Sequence, residues 1–406
     1  MIRQTRLPNG LRIATFAMPH LETAAVALSV DTGARHEEAR HNGLAHLFEH
    51  MVFKGTTRRS ARRIAEEAED VGGSINAYTA RDVTVFHARM MADDLALGLD
   101  IIADLLRNPL FDAGDLERER QVVLQELGEA RDTPDDIIYD HLQQAAYPDQ
   151  ALGRPILGDE TSIAAIDVPA LKAWQQQHYC ADTMVLTAAG KLDHDALVAQ
   201  AHKLLGDLPT SQRTAMLAPR YVGGDQTDQR RFEQAHLTLG LSAPGYHDED
   251  HFAAQLFAVA VGGGMSSRLF QELREERGLA YSIYASHSPY SDAGLLSIYM
   301  ATAPDQVRQA LDVSMNVLNA SVANLESAEL VRAKAQAKAA TVMALESPGG
   351  LAETMGRQLL LFDRLISARE VMERMDAVDV DAVRAAGRKM LDSQLSRASV
   401  GAALPA

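Results

Sequence analysis

The alternation of apolar and polar positions lays out the elements of the chain. Leu7 to Ala17 puts a Pro-Asn-Gly turn before the alternating run L-R-I-A-T-F, and Thr23 to Val30 is a second β-rich run ending at Asp31-Thr32-Gly33. Two antiparallel strands are the simplest reading. Helical spacing follows from Gly43 to Lys54-Gly55, where Gly55 supplies a C-terminal cap, and again from Thr57 to Val71, closed by Gly72-Gly73. Ser74 to Met90 returns to strand, and Leu95 to Leu106 is an apolar-periodic helix stopped by Asn108-Pro109. A further helix starts near Asp112 or Asp115, either of which can cap it, and runs to about Ala130. Ile137 to Leu208 is helix-rich around one β run, Met184 to Ala189.

Periodicity lapses between Leu208 and Arg231, where Pro209, Pro219, Gly223 and Gly224 collect, and the first half then repeats. Gly264 faces Gly55 at an offset of 209, Leu311-Asp312-Val313 faces Leu99-Asp100-Ile101 at 212, and Met375-Asp376 faces Ile166-Asp167 at 209. The expectation is an α+β chain of two duplicated domains, each a mainly antiparallel sheet packed with helices. Residues 1–210 form the first, 211–231 the linker and 232–406 the second. The Gly262-Gly263-Gly264 run lacks the Lys-Ser/Thr ending of a phosphate loop and reads as a turn.

Composition narrows the function. A chain of 406 residues exceeds one typical core, and 47% hydrophobic with 23% charged residues is ordinary for a soluble globular protein. The net charge of −16 argues against a nucleic-acid partner, which normally needs a basic surface. The single cysteine, Cys180, excludes an internal disulfide and a multi-thiolate zinc site. No 18-residue apolar run is present to span a membrane, and the N-terminus has no apolar stretch of secretory length, so a cytoplasmic protein is the default expectation.

The densest chemistry lies at H-L-F-E-H, residues 46–50. Residues four apart share one face of a helix, so His46 and His50 can reach a single metal with Glu49 beside them. The order H-x-x-E-H is that of the inverted zinc peptidases, although by itself it also fits a solvated helix face. Further on, Glu119 and Glu126 lie seven apart on one face, and Glu126 emerges beside Val122, Val123 and Leu127, where a carboxylate needs a partner. In the second copy Gln255, Ala258 and Val259 stand where His46, Glu49 and His50 stand in the first, so only the first copy can hold zinc. The cluster Arg58, Arg59, Arg62 and Arg63, followed by Glu66 and Glu67, reads as a solvated face with i,i+4 ion pairs rather than an anion site.

These residues resemble the inverted-motif zinc peptidases of the pitrilysin, insulin-degrading enzyme and mitochondrial processing peptidase type. The likeness runs through H-L-F-E-H-M-V-F-K-G-T at 46–56, G-G-S-I-N-A-Y-T at 72–79, V-V-L-Q-E at 122–126 and R-L-F-Q-E-L-R-E-E-R-G-L-A-Y-S at 268–282. The resemblance implies His46, His50 and Glu126 as ligands of one Zn2+ per chain, Glu49 as general base and Glu119 as a supporting carboxylate. It implies Asn76 and Ala77 on a strand edge that holds peptide substrate in extended form, and Arg274 and Tyr281 reaching the scissile carbonyl from a facing domain. Relatives use four such domains and this chain has two, so a homodimer with composite active sites is implied. The expected activity is zinc metalloendopeptidase, with a presequence-processing enzyme and a non-catalytic scaffold subunit of the same fold as alternatives.

Overall fold

A computed structural model of the chain describes residues 2–211 and 216–405; residues 212–215 of the expected linker lie outside the described residues. Six strands, β1 (Ile2–Arg6), β2 (Arg12–Ala17), β3 (Thr23–Val30), β4 (Ser74–Thr79), β5 (Thr84–Met91) and β6 (Met184–Gly190), form one sheet in the order β1-β2-β6-β3-β5-β4. Five more, β7 (Gly224–Asp228), β8 (Ala235–Ala243), β9 (Ala280–Pro289), β10 (Gly294–Thr302) and β11 (Ser396–Val400), form a second in the order β7-β11-β8-β10-β9. The β2–β6 and β7–β11 pairs are parallel, and the other pairs are antiparallel. With β1 set aside the two orders match strand for strand, so the α+β duplication suggested by the sequence offsets is a duplication of topology.

Two expectations change. The early runs are antiparallel in direction but do not pair: β6 lies between them, and the Pro8-Asn9-Gly10 turn instead leads back to β1. A run's own side chains carry no signal of a strand supplied from so far along the chain. Within the expected linker, G-D-Q-T-D forms β7, the counterpart of β2. It is a mostly exposed edge strand tied by backbone bonds to β11, so there was no apolar alternation to read.

The first-half helices are α1 (Leu44–Val52), α2 (Ala61–Glu69), α3 (Leu95–Arg107), α4 (Ala113–Asp132) and α5 (Pro134–Ala146). The compact units are not the linear halves expected from the repeat. One comprises Met1–Leu127, Pro155–Met216 and Met343–Ile366, and the other Gly128–Arg154, Leu217–Val342 and Ser367–Ala406. The first sheet is covered on one side by the helix Pro348–Phe362, whose Leu351, Ala352 and Met355 pack on Ala14, Ala27 and Val185. The second is covered by α5, whose Ile138, Leu142 and Ala146 pack on Leu295, Ala398 and Val400. Each helix opens with proline in its first turn, and each comes from the opposite half of the sequence. On the other side of the first sheet, Leu47, Phe48 and Met51 of α1 join Leu28, Phe86, Leu99 and Ile102 in a fully buried core. That burial fixes which face of α1 looks outward.

Candidate metal centre

The start of α1 is built around a buried carboxylate. Glu37 accepts from the Gly43 N–H at 2.9 Å, the Ala45 N–H at 2.7 Å and the Asn42 side-chain amide at 2.8 Å. An anion there meets the positive end of the helix dipole and satisfies N–H groups that the helix leaves unpaired. Gly43 takes φ +95, and a Cβ on it would lie 2.7 Å from the Leu157 carbonyl oxygen, so the entry turn needs glycine. With Leu47, Phe48 and Met51 committed to the core, His46, Glu49 and His50 remain on the half-buried face.

Across from that face runs α4, begun by Asp112, whose Oδ1 accepts from the Gly114 and Asp115 N–H groups. Seven residues along one face of α4 separate Glu119, buried, from Glu126, half-buried. Glu126 Oε2 lies 3.8 Å from His46 Nε2 and 3.6 Å from His50 Nε2, and one ligand atom from each of the three falls within 4.8 Å of the others. Ligands at about 2.0 Å from a shared tetrahedral ion sit about 3.3 Å apart, so small rotations bring this set onto one zinc. Two imidazole nitrogens and one carboxylate oxygen are a donor set that zinc accepts, with a fourth position left over. Among the described residues this is the only His/Cys/Asp/Glu group with such spacing.

The surroundings set the state of each group. His50 Nδ1 lies 3.1 Å from Glu119 Oε2, and Glu119 Oε1 pairs with Lys54 Nζ at 2.8 Å. Burial, reinforced by the neighbouring His50, lowers His46 to about 4, which leaves its imidazole neutral and able to ligate near pH 7. Burial raises Glu49 above the usual carboxylate range, partly offset by the Thr79 hydroxyl, which donates to Glu49 Oε2 at 2.6 Å.

Thr79 is the last residue of β4, the outer strand of its sheet. Ala77 is buried against the α1 core, while Asn76 is exposed and its Oδ1 accepts from the Ala77 N–H at 2.9 Å. Beyond the start of β4, a cleft of about 420 Å³ is lined by Phe53, Ile64, Ala65, Ala68 and Ile75 together with Lys54 and Glu69. The sequence offered no sign of this cleft, which three separate elements assemble. Glu37 and Thr79 were likewise missed as site-building residues, although Thr79 closes the G-G-S-I-N-A-Y-T stretch.

In the other unit Arg274 lies on a π-helical turn, Phe270–Glu275, and Tyr281 on β9. The Arg274 guanidinium carbon sits 4.8 Å from the Phe270 ring centre and 4.9 Å from that of Tyr281, which is 71% exposed. The expected pair is thus brought together, with the guanidinium held between two rings. The expectation for the arginine cluster holds for Arg62–Glu66 and Arg63–Glu67, which are i,i+4 pairs on α2. It fails for Arg59, which is buried and bonded to Asp104, Asp100 and Glu67. Arg59 precedes the α2 cap, Ser60, so helical periodicity does not govern it.

Comparison with known proteins decides the family. Residues 12–160 match the family described as Insulinase (Peptidase family M16), and residues 165–337 match the Peptidase M16 inactive domain. An uncharacterised zinc protease of Rickettsia felis is 34% identical over 398 residues, covering 98% of this chain and 97% of that one. The chain belongs to peptidase family M16. An uncharacterised zinc protease of Bacillus subtilis gives 33% identity over 98% of both chains, matching this M16 protein in length as well as sequence. Its fold is that of a peptidase M16 inactive domain structure from Pseudomonas fluorescens (TM-score 0.92, 22% identity, 100% and 98% coverage). It is also that of a protease from Helicobacter pylori (TM-score 0.91, 19% identity, 98% and 99% coverage). Among the described residues of this M16 chain, no helix is long and apolar enough to cross a membrane.

Proposed function

We propose that the protein is a zinc metalloendopeptidase that hydrolyses peptides or unfolded segments held in extended form. The observation that carries this is the convergence of His46, His50 and Glu126 on the helix face that also carries the half-buried, hydroxyl-bonded Glu49. Zinc bound by those three would polarise the peptide carbonyl and bring the pKa of water down to about 7. Glu49 receives the proton of the attacking water, with Thr79 fixing one carboxylate oxygen so that the other faces the reaction. It then passes that proton to the departing amide nitrogen, giving one new carboxyl end and one new amine end. The outer edge of β4 at Asn76 and Ala77 holds the substrate backbone as an added strand, displacing the local Asn76–Ala77 bond, with little sequence choice. The cleft beside Phe53 and Ile75 accepts an apolar side chain of that strand.

In this reading two copies of the chain form a homodimeric chamber, and Arg274 and Tyr281 of one subunit donate to the developing oxyanion at the other subunit's Glu49. Glu49→Gln subunits mixed with Tyr281→Phe subunits then recover part of the activity; a mixture as inactive as either variant alone contradicts a shared site. A scaffold subunit would have no use for the intact ligand set together with Glu49. Incubation with a mixed peptide library, with and without a chelator, tests the activity itself. Cleavage that the chelator abolishes and zinc restores is expected, and its absence refutes the enzyme reading. Products confined to presequence-like peptides would identify a processing enzyme rather than a general peptidase.

A further inference from the structure

Lys54 lies outside the ligand set, yet it closes a chain of contacts that ends on a ligand. Its Nζ is 2.8 Å from Glu119 Oε1, and Glu119 Oε2 is 3.1 Å from His50 Nδ1. The Glu119 side chain is only 8% exposed, so these two partners stand in for the water that a carboxylate ordinarily has. The opposite nitrogen of the same imidazole, Nε2, is 3.6 Å from Glu126. His50 is therefore engaged at both nitrogens, whereas His46 Nδ1 is buried without a hydrogen-bond partner.

The lysine projects from a turn that is itself pinned. The Lys54 N–H donates to the Met51 carbonyl at 3.2 Å, and Gly55, at φ +126, redirects the chain. The Gly55 carbonyl accepts from the Leu110 N–H at 3.0 Å, and the Thr56 hydroxyl donates to buried Asp104 at 2.7 Å. These anchors aim the side chain back over the end of α1 toward α4.

We propose that Lys54 is a positioning residue for the metal centre, acting through Glu119 on His50. By holding Oε1, the ammonium leaves Oε2 to accept the His50 Nδ1–H, which sets the tautomer whose Nε2 lone pair faces His46 and Glu126. The inference rests on the zinc reading above. Without the ammonium, a nearly dry carboxylate keeps one donor, turns away from its present orientation and frees the imidazole to rotate or change tautomer. Loss of an outer partner of this kind typically weakens metal binding by about 10- to 100-fold.

The test is zinc affinity of the full chain, measured by competition with a chromophoric chelator, together with the urea midpoint of the zinc-free protein. Lys54→Met is expected to bind zinc about 10- to 100-fold more weakly under conditions where its zinc-free form is fully folded, although the loss of the cation beside nearly dry Glu119 lowers the zinc-free midpoint. Lys54→Arg is expected to stay near wild type, because a guanidinium supplies the same charged donor. Wild-type affinity in Lys54→Met overturns the proposal. So does weakening that Lys54→Arg shares equally, or that disappears when both zinc-free proteins are compared under conditions where each is fully folded, since both belong to a merely structural role. If instead the wild type fails to bind zinc, or Glu126→Gln binds it as tightly as wild type, the metal-centre reading itself is refuted, an outcome distinct from failure at Lys54.

Discussion

Thr79→Val removes one hydroxyl from the site and almost nothing else. The hydroxyl donates to Glu49 Oε2 at 2.6 Å, with only a marginal second contact to the Ala45 carbonyl at 3.5 Å. Valine has nearly the same shape, so the end of β4 keeps its packing. A hydrogen bond to a charged group is worth about 1.5–3 kcal/mol. If that energy orients the base during proton transfer, its loss lowers kcat by about 10- to 100-fold, since about 1.4 kcal/mol is tenfold in rate. KM should move little, because Thr79 is not asked to bind substrate. The hydroxyl also holds the Glu49 carboxyl down against burial, so the acidic limb of the kcat/KM profile should shift to higher pH in the variant. The assay is steady-state cleavage of a quenched fluorescent peptide at matched zinc content, with Thr79→Ser as the conservative control. A kcat within twofold of wild type, or a serine variant as slow as the valine variant, would refute this role.

Other consequences concern the frame around the site. Burial lowers both His46 and His251 from 6.5 to about 4, so the unfolded chain binds protons that the fold refuses between those values. Stability of the zinc-free protein should therefore be intact above about pH 6.5 and fall as pH drops toward 4. Urea midpoints at pH 7.5 and pH 4.5 in chelator measure this, His251→Phe should flatten the decline, and an undiminished slope in that variant contradicts the assignment. Arg59→Met removes the guanidinium bonded to the fully buried Asp104 carboxylate, leaving only Arg58 at 3.9 Å, and should destabilise the fold by about 3–5 kcal/mol, read from urea unfolding. A loss below about 1 kcal/mol would mean that Thr56 and Asn108, which also bond Asp104, suffice together with Arg58.

What could be read in advance divides along a physical line. His46, Glu49, His50, Glu119 and Glu126 lie on regular helices, where spacing alone says which side chains share a face, and the structure brings His46, His50 and Glu126 within reach of one another, with Glu119 against the other nitrogen of His50. The duplication was legible for the same reason, since equal offsets survive wherever elements keep their lengths. Glu37, Lys54, Arg59 and Thr79 were silent because their partners come from other elements or from turns without a period. Strand β7 was silent because an exposed edge needs no apolar alternation, and β6 because a strand's neighbour is not encoded in the strand itself. Exchange of α5 and the helix Pro348–Phe362 between the two halves left no local signal either. An apolar stripe specifies that a helix is covered, and not which sheet covers it.

The central claim, that three side chains hold the zinc with which Glu49 cleaves peptide bonds, is tested most directly by titrating metal-free protein with zinc while following peptide cleavage. Wild type should gain activity in proportion to added zinc with a break at one ion per chain, and Glu49→Gln should bind zinc to the same endpoint without cleaving. Cleavage before zinc is added, or by zinc-loaded Glu49→Gln at wild-type rate, would contradict it.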